Sequence, residues 1–412
     1  MANNSTLRIA WRNLGRNRKR SALACAAIGL GQFAFLATAA IMHGYADHYF
    51  DSITGPLVGH VQIVARDWRE ERAVDLTLKE VDAMLAAVGE TPEVVQAAPR
   101  LYAPVLAALE EEGFIAVVVG VEPAVESRAS GLLGDAVLAG MLGDGQVLVG
   151  RGLARRRGIG VGAELAVVGQ DIDGSIASEL YRVRALVDSP VDIVNSTGIV
   201  AALADVRTLL RMEDEAHEIV IHLQDADQVQ GAIAGLGARP ELAGAEIKAW
   251  REVVPQLAGI VELMNVYILV ILGIVFLASA AGIANTMLMS TFERRRELGM
   301  LLALGSTPAS LFKVVATEAV LLGLLGVGLG TALGVLFAAA TAGSGFDLVE
   351  LGGHESFEVG FQGVKVASRV FPELYLRDVL AGVGAVLVTA FAACVWPMLH
   401  IARLEPVEAM RV

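Results

Sequence analysis

Four long runs of uncharged, mostly apolar residues constrain what this chain can fold into. They cover residues 21–46, 263–292, 319–346 and 379–402. Each run exceeds the roughly 18 to 20 residues that a helix needs to cross the hydrocarbon core of a bilayer. A helix can span lipid because its backbone hydrogen bonds close within the segment. The composition agrees, since 55% of the residues are hydrophobic and the mean hydropathy is +0.57. The sequence therefore predicts an α-helical membrane protein with four transmembrane helices.

The segment between the first and second runs has a different character. Residues 47–260 mix polar and apolar stretches and are numerous enough to bury a core of their own. Stretches rich in β-branched residues predict strands at residues 59–66, 114–121, 164–169, 181–187, 197–203 and 218–223. Helical spacing predicts helices at residues 226–236 and 77–90, the second capped by Thr77 and Glu80. We expect a large α+β domain with two subdomains, one from residues 46–115 and 216–258 and the other a β-rich insert of residues 116–215.

The negative charge of the chain is concentrated in this domain. The formal net charge is −13, but residues 43–260 alone hold 17 Lys and Arg against 33 Asp and Glu. The remaining residues hold 15 Lys and Arg against 12 Asp and Glu. An acidic domain repels nucleic acid and anionic lipid surfaces. The sequence therefore argues against binding of either by the large domain.

Basic residues mark one side of the predicted membrane. They cluster before the first run, between the second and third runs, and after the fourth run: Arg8, Arg12, Arg16, Arg18, Lys19, Arg20; Arg294, Arg295, Arg296; Arg403, Arg411. With four spans, all three segments lie on the same side, which the positive-inside rule assigns to the cytoplasm. Both termini are then cytoplasmic, and the large domain and residues 343–374 lie outside.

Two further patterns concern the membrane helices. In residues 1–20, Leu7, Trp11 and Leu14 recur at helical spacing with arginines between them. This pattern favours an interfacial helix, with Trp11, Arg12 and Arg16 at the membrane surface, over a plain polybasic segment. In the third run, three glycines recur every fourth residue, a spacing that lets two helices approach closely in lipid. The glycines Gly326, Gly330 and Gly334 thus predict a helix-packing face, with its partner helix undetermined.

A dense charge cluster separates the second and third runs. It consists of Glu293, Arg294, Arg295, Arg296 and Glu297. Leu298, Gly299 and Leu302 follow at helical spacing, so residues 291–308 predict a short amphipathic helix. A solvated loop that obeys the positive-inside rule is the simpler interpretation. The apolar face and the paired charges favour a docking helix for a cytoplasmic partner.

The sequence lacks the motifs of several enzyme and transporter classes. None of the five lysines follows a glycine, so the chain has no P-loop for ATP. It contains no zinc-ligand spacing and no nucleophile elbow, and we expect neither a metal site nor catalytic residues. The spans hold almost no ionisable residues, which argues against transport driven by an ion gradient.

The same residues carry a resemblance to a known family. Residues 292–334, "FERRRELGMLLALGSTPASLFKVVATEAVLLGLLGVGLGTALG", resemble the conserved region of FtsX-like permeases, the membrane subunits of MacB-type and LolC/LolE-type ABC transporters. The N-terminal "LRIAWRNLGRNRKRSAL" and the central "GHVQIVAR" and "GQVLVGRGLARRRGIGVGAEL" are also similar to segments of these permeases. The segment "VDSPVDIVNSTGIVAAL" matches only loosely, so the substrate is left open.

The resemblance implies an organisation and a mechanism. Two permease protomers, copies or paralogues, would pair in the bacterial inner membrane, and each would dock a separate ATPase through its coupling helix. The implied coupling residues are Glu293, Arg294, Arg295, Arg296, Glu297, Leu298, Gly299 and Leu302. ATP and Mg would be bound by two copies of the ATPase, whose dimerisation would move the outer domains. The cargo would be a lipoprotein or another hydrophobic or periplasmic substrate; alternatively, as in FtsX, the complex would only activate a periplasmic hydrolase or adaptor.

These expectations divide the chain into segments. The cytoplasmic segments are an interfacial helix at 1–20, the coupling helix at 291–308 and a tail at 403–412. The membrane helices are residues 21–46, 263–290, 312–342 and 377–402. The periplasmic segments are residues 47–260 and the loop 343–374.

Overall fold

The structure is a computed structural model in which residues 2–16, 18–126, 131–133, 140, 142–347, 359–361, 364–366 and 369–402 are described. The chain divides into two compact units. Residues 1–46, 261–348 and 369–412 form one unit, here called the membrane unit. The other unit contains Asp47–Ile260, here called the outer domain, together with residues 349–368. The predicted tail at residues 403–412 lies outside the described residues.

The helices of the described residues include both long and short elements. The α-helices are α1 (Ala2–Arg16), α2 (Arg18–Ile53), α3 (Trp68–Glu71), α4 (Val81–Gly89), α5 (Arg151–Arg157), α6 (Asp192–Thr197), α7 (Leu203–Leu210), α8 (Val229–Gly237), α9 (Trp250–Val253), α10 (Pro255–Glu293), α11 (Arg295–Ala303), α12 (Pro308–Ala342) and α13 (Leu376–Ala402). Thr54–Val58 forms a π-helical turn, and Ala226–Gln228 and Pro240–Leu242 form 3-10 turns.

The strands lie mostly in the outer domain. They are β1 (Val61–Val64), β2 (Leu78–Lys79), β3 (Val94–Leu109), β4 (Glu112–Val121), β5 (Gln146–Gly150), β6 (Glu164–Gln170), β7 (Ile176–Val187), β8 (Gly198–Ala202), β9 (Glu215–Ala216), β10 (Glu218–Leu223), β11 (Glu246–Ala249), β12 (Phe346–Asp347), β13 (Val359–Phe361), β14 (Val364–Val366) and β15 (Arg369–Val370). In the predicted loop 343–374, β12 pairs with β15 and β13 pairs with β14.

Four helices of the described chain are long and apolar enough to cross a membrane. They are α2, α10, α12 and α13; they contain three of the four apolar runs and residues 319–342 of the third run, 319–346. The predicted fold class, four membrane helices with an α+β domain between the first two, is confirmed. The helices extend beyond the predicted spans, since charged residues at the ends of a span can remain helical. In the membrane unit, Ile28, Ile283, Leu322 and Val386 bring the four helices together in one buried apolar cluster.

The outer domain is built on a nine-stranded sheet. The strand order is β11-β1-β10-β3-β4-β8-β5-β7-β6, and β6 also pairs with β3. The strands β3-β4-β8-β5-β7-β6 therefore close into a barrel, while β11-β1-β10-β3 form an open sheet that shares β3. The barrel is filled by apolar side chains, among them Leu101, Val118, Val149, Leu165 and Ile199.

The subdomain boundary predicted between residues 115 and 116 is wrong. It falls inside β4, which pairs with β3 from Leu109↔Glu112 to Arg100↔Val121. Strand β3 serves both subdomains because its first half pairs with β10 and its second half with β6. The barrel therefore begins within this long hairpin.

The predicted start of the helix at residues 77–90 is also wrong. Leu78 and Lys79 pair with β9, and the helix begins at Val81. Thr77 donates its hydroxyl hydrogen bond to Glu215 instead of capping the helix. Glu80 has a left-handed backbone with φ of +57°, so the capping box does not form. The predicted strands are confirmed with shifted ends, and the helix predicted at residues 226–236 begins as a 3-10 turn and continues as α8.

Candidate functional site

The charged segment between α10 and α12 forms the separate helix α11. Helix α10 ends at Glu293, and Arg294 leaves helical geometry with φ of −105° and ψ of 14°. After α11, Gly305 adopts φ of +95°, a left-handed conformation that glycine reaches without strain. Thr307 then caps α12 by accepting a hydrogen bond from the Ser310 N–H at 3.3 Å. Within the predicted segment 291–308, only Arg295–Ala303 form the short helix, because Arg294 ends α10 before it and Gly305 and Thr307 separate it from α12.

Ion pairs connect this segment to the N-terminal helices. Arg16 Nη1 lies 3.0 Å from Glu297 Oε1, and Arg20 pairs with Glu293. Arg294 Nε lies 3.1 Å from the other carboxylate oxygen of Glu297. Three residues predicted to contact a partner ATPase therefore have partners within the chain. The exposed pairs each contribute only about 0 to 1 kcal/mol, so their main effect is to orient the helices.

A more buried contact joins α12 to the same cluster. Arg294 Nη1 lies 3.3 Å from Glu318 Oε2, and the two side chains are 13% and 7% exposed. The Asn13 amide oxygen, oriented toward Arg294, accepts from Nη1 at 2.8 Å. A buried carboxylate needs a cation and hydrogen-bond donors to offset its lost hydration. No local sequence pattern indicates this contact, because Asn13, Arg294 and Glu318 are distant along the chain.

The remaining charged residues differ in their surroundings. Arg295 is half-buried, and its Nε has no hydrogen-bond partner among the described residues. Arg296 is exposed. Hydrogen bonds from Arg294 and then Arg16 hold the pKa of Glu297 below its usual value, although burial opposes them. Glu297 therefore stays ionised at neutral pH and maintains its pairs.

The apolar residues predicted for the docking face of α11 lie on the side that packs against α12. Leu298 is 4% exposed and packs with Leu302 against Leu311 of α12, and Gly299 is buried as well. A short helix beside α12 buries its apolar residues against its own chain before any partner can contact them. The exposed side chains are instead Arg296, Met300, Leu301 and Leu304, with Leu304 83% exposed. Arg296 and Met300 share one face of α11, and Leu304, the residue after its last turn, follows at the same spacing of four.

The N-terminal helix has one buried and one exposed side. Ala10 and Leu14 are buried, and Leu14 joins the apolar cluster of the membrane helices. Leu7, Ile9 and Trp11 are exposed together with Arg12 and Arg16. An exposed row of large apolar and basic side chains is what an interfacial helix presents to lipid. The membrane-interface role of Trp11, Arg12 and Arg16 remains a prediction.

The three glycines of α12 lie against α2. A Cβ on Gly326 would lie 2.7 Å from Ile28 Cβ, and one on Gly334 would lie 2.9 Å from Leu36 Cβ. A Cβ on Gly330 would lie 2.4 Å from the carbonyl oxygen of Gly29. The structure thus gives α2 as the helix that packs on this face.

Two family models match the chain. The model described as "MacB-like periplasmic core domain" matches residues 21–239, which is more than half of the chain. The model described as "FtsX-like permease C-terminal" matches residues 269–406. The first match covers α2 and most of the outer domain, and the second contains α11 and its charge cluster.

Individual proteins are similar over different lengths. The lipoprotein-releasing system transmembrane protein LolC of Neisseria meningitidis serogroup B is 23% identical over 407 residues, which covers 94% of this chain and 92% of that relative. The macrolide export ATP-binding/permease protein MacB of Vibrio parahaemolyticus is 35% identical over 88 residues, or 21% of this chain and 14% of that relative. Among solved structures, the periplasmic region of MacB from Actinobacillus actinomycetemcomitans aligns with a TM-score of 0.33 and 11% identity, covering 50% of this chain and 95% of that one.

Proposed function

The chain belongs to the FtsX-like permeases with a MacB-like periplasmic core domain, and on that premise we propose that it couples ATP hydrolysis by a separate ATPase to movement of its outer domain. It is an ABC transporter permease of the LolC and MacB type, with several membrane-spanning helices. The proposed movement extracts or exports a lipoprotein or another hydrophobic or periplasmic substrate.

Several observations support the details of this proposal. LolC is similar along almost the whole chain, which favours lipoprotein as cargo. The sequence has no P-loop, so ATP and Mg would be bound by two copies of the partner ATPase. A second permease protomer, a copy or a paralogue, would complete the complex. The basic N-terminal segment and the arginines of α11 favour a cytoplasmic position for both segments, and in this proposal the outer domain is periplasmic.

The exposed face of α11 is the observation that carries the proposal. Arg296, Met300 and Leu304 form one side of a short helix whose other side packs on α12. The ion pair between Arg16 and Glu297 connects this helix to α1, and the pair between Arg20 and Glu293 connects the preceding end of α10 to α2. A force applied to α11 would therefore reach the membrane helices through contacts that already exist. In this proposal the inner residues Glu293, Arg294, Glu297 and Leu298 transmit the force, and the outer residues contact the ATPase.

Purification of the tagged chain from its native host tests the docking face. In mild detergent, a P-loop ATPase should co-purify with the wild type. Replacing Met300 and Leu304 together by Glu should remove most of it, because two charges would be buried without partners at the contact. Ile176→Glu is the matched control, since Ile176 is an equally exposed apolar residue on the outer domain. An undiminished ATPase band in the double variant would reject this face, and no ATPase with the wild type would reject the proposal.

The same preparation separates transport from signalling. A lipoprotein or lipid held by the wild type, and released on ATP addition, supports extraction. A co-purified periplasmic hydrolase whose activity rises with ATP would instead support the transmission of a signal without transport.

A further inference from the structure

The outer domain contains a cavity of about 460 Å³, well within the size of small-molecule sites. Its apolar walls include Leu57, Val58, Val117, Ile193 and Val254. All of its lining residues belong to the outer domain. The sequence singled out no motif here, because the walls come from distant parts of the chain.

Two wall segments continue directly into membrane helices along the chain. Leu57 and Val58 follow the end of α2 at Ile53, and Val254 precedes the start of α10 at Pro255. These walls therefore belong to the segments that connect the outer domain to α2 and α10 along the chain.

Two guanidinium groups give the cavity a positive side. Arg69 donates a hydrogen bond to the neutral amide of Gln62, and Arg72 lies with its guanidinium carbon 4.3 Å from the centroid of the Trp68 ring. Neither arginine forms an ion pair with any carboxylate of the described residues. Burial lowers the pKa of Arg69, although nearby Glu218 opposes this effect. An arginine nevertheless keeps its charge in proteins, so Arg69 is a half-buried cation that an anion would stabilise.

A rigid aromatic stack holds these arginines in place. Trp68 is buried and stacks on Tyr102 at 5.7 Å and on His217 at 5.3 Å between ring centroids. The residues that flank α3, Asp67 and Arg72, have φ of +62° and +52°. Left-handed backbone at residues other than glycine is unfavourable, and in proteins it concentrates at functional sites. The strained turn presents both arginines to the same cavity.

The cavity lining contains one carboxylate, whose charge is opposite to that of Arg69 and Arg72. Glu218 is buried in the cavity wall and accepts a hydrogen bond from the Tyr102 hydroxyl at 2.8 Å. Two guanidinium groups against one carboxylate leave the lining positive. The charge of the lining is thus opposite to the net charge of the outer domain, whose acidity argues against binding to an anionic lipid surface. The overall charge governs approach to a charged surface, whereas the lining governs what can occupy the cavity.

We propose that this cavity binds a single-chain anionic amphiphile. The hydrocarbon chain would lie along the valine and leucine walls, and a carboxylate or phosphate head would pair with Arg69 and Arg72. The combination explains why apolar walls, unpaired arginines and a strained turn occur together. The inference goes beyond the proposed function and does not depend on an ATPase.

Photolabelling of the full chain tests this site directly. The chain is placed in nanodiscs of zwitterionic lipid with palmitic acid that carries a diazirine on its chain. We expect adducts in the peptides that contain Leu57, Val117 or Val254. Unlabelled palmitate or lysophosphatidate should displace the probe, and the stronger competitor identifies the head group. The palmitate methyl ester and inorganic phosphate should not displace it, since each lacks one half of the ligand; displacement by the ester would overturn the role of the arginines.

Variants separate the head-group contact from general misfolding. Replacing Arg69 and Arg72 together by Gln should weaken binding about tenfold or more, since both charge-assisted contacts to the head group are lost. Arg72→Lys should keep part of the affinity. Arg184→Gln, at an exposed arginine of the barrel, is the matched control and should bind like the wild type.

Two further variants act in opposite directions. Glu218→Gln should strengthen binding, because it removes the one negative charge while leaving an acceptor for Tyr102. Val117→Phe should weaken binding by filling the cavity without altering its charge. Labelling that is equal in the wild type, the double arginine variant and Val117→Phe would overturn the proposal, provided their melting temperatures agree. Weaker binding by Glu218→Gln would also contradict it.

Discussion

At the scale of single residues, Gly330 offers a sharp test of helix packing in the membrane unit. A Cβ at this position would lie 2.4 Å from the carbonyl oxygen of Gly29, and backbone cannot move aside as a flexible side chain can. We expect Gly330→Ala to reduce the free energy of unfolding by about 1 to 3 kcal/mol, the usual effect of overpacking. An unfolding titration of the purified chain in mixed micelles would measure this change.

Gly328 is the matched control for this substitution. It lies in the same helix two residues away, and a Cβ there would meet nothing within 4 Å. Gly328→Ala should therefore be neutral, or stabilising by up to about 1 kcal/mol because alanine favours helix. Equal effects of the two substitutions would show that the close approach of α2 to α12 does not exist.

At the scale of elements, the contact between Arg294 and Glu318 connects the α10–α11 turn to α12. Arg294→Gln removes the cation and leaves the carboxylate of Glu318 buried without its ion-pair partner. We expect a loss of about 3 kcal/mol in the free energy of unfolding, as for other buried ion pairs that lose one partner. Adding Glu318→Gln should restore most of it, because the unpaired charge is then gone. A double-mutant cycle measures this coupling.

The exposed pair between Arg16 and Glu297 serves as the comparison for that cycle. Both side chains are about half exposed, so Arg16→Gln should change stability by less than about 1 kcal/mol. A coupling energy near zero between positions 294 and 318 would mean that the carboxylate is satisfied in another way. In that case Arg294 could contact the ATPase, as predicted from its position in the sequence.

The sequence predicts elements well where a local pattern determines them. The four membrane helices follow from uncharged length alone, and β10 coincides with a run of β-branched residues. The longest strand, β3, has no such signal, since it contains Pro99, Pro104 and several alanines. Its conformation is determined by pairing with β4, β6 and β10, which are contacts far apart in sequence. The start of α4 was mispredicted for the same reason, because β9 recruits Leu78 and Lys79 into a strand.

At the scale of the whole molecule, the sequence predicted the position of α11 but not which of its sides packs against α12. Charge and apolar spacing located α11 correctly between two spans. They could not show which side of α11 packs on α12, since Leu298 and Leu304 are equally apolar and differ only in tertiary contacts. The cavity in the outer domain had no sequence signal, because Arg69, Tyr102, Glu218 and Val254 meet only in the folded domain.

The stability of the full chain should fall as the pH drops below about 6.5, because the buried His217 and the half-buried His60 of the outer domain both have lowered pKa values. Burial lowers the pKa of His217 and of His60 from the ordinary value of 6.5. His217 accepts a hydrogen bond from the Tyr102 N–H at 3.0 Å and donates to the Val74 carbonyl, which requires the neutral ring. Below pH 6.5 the unfolded chain binds a proton at this histidine, whereas the folded chain does not. The free energy of unfolding therefore falls by up to about 1.4 kcal/mol per pH unit at His217 until the pKa of the folded state is reached.

Melting followed by tryptophan fluorescence should give a lower melting temperature at each step from pH 7 to pH 5. His217→Gln combined with His60→Gln should lower the melting temperature at pH 7 but flatten its dependence on pH, and an undiminished slope in that variant would assign the acid sensitivity to other groups.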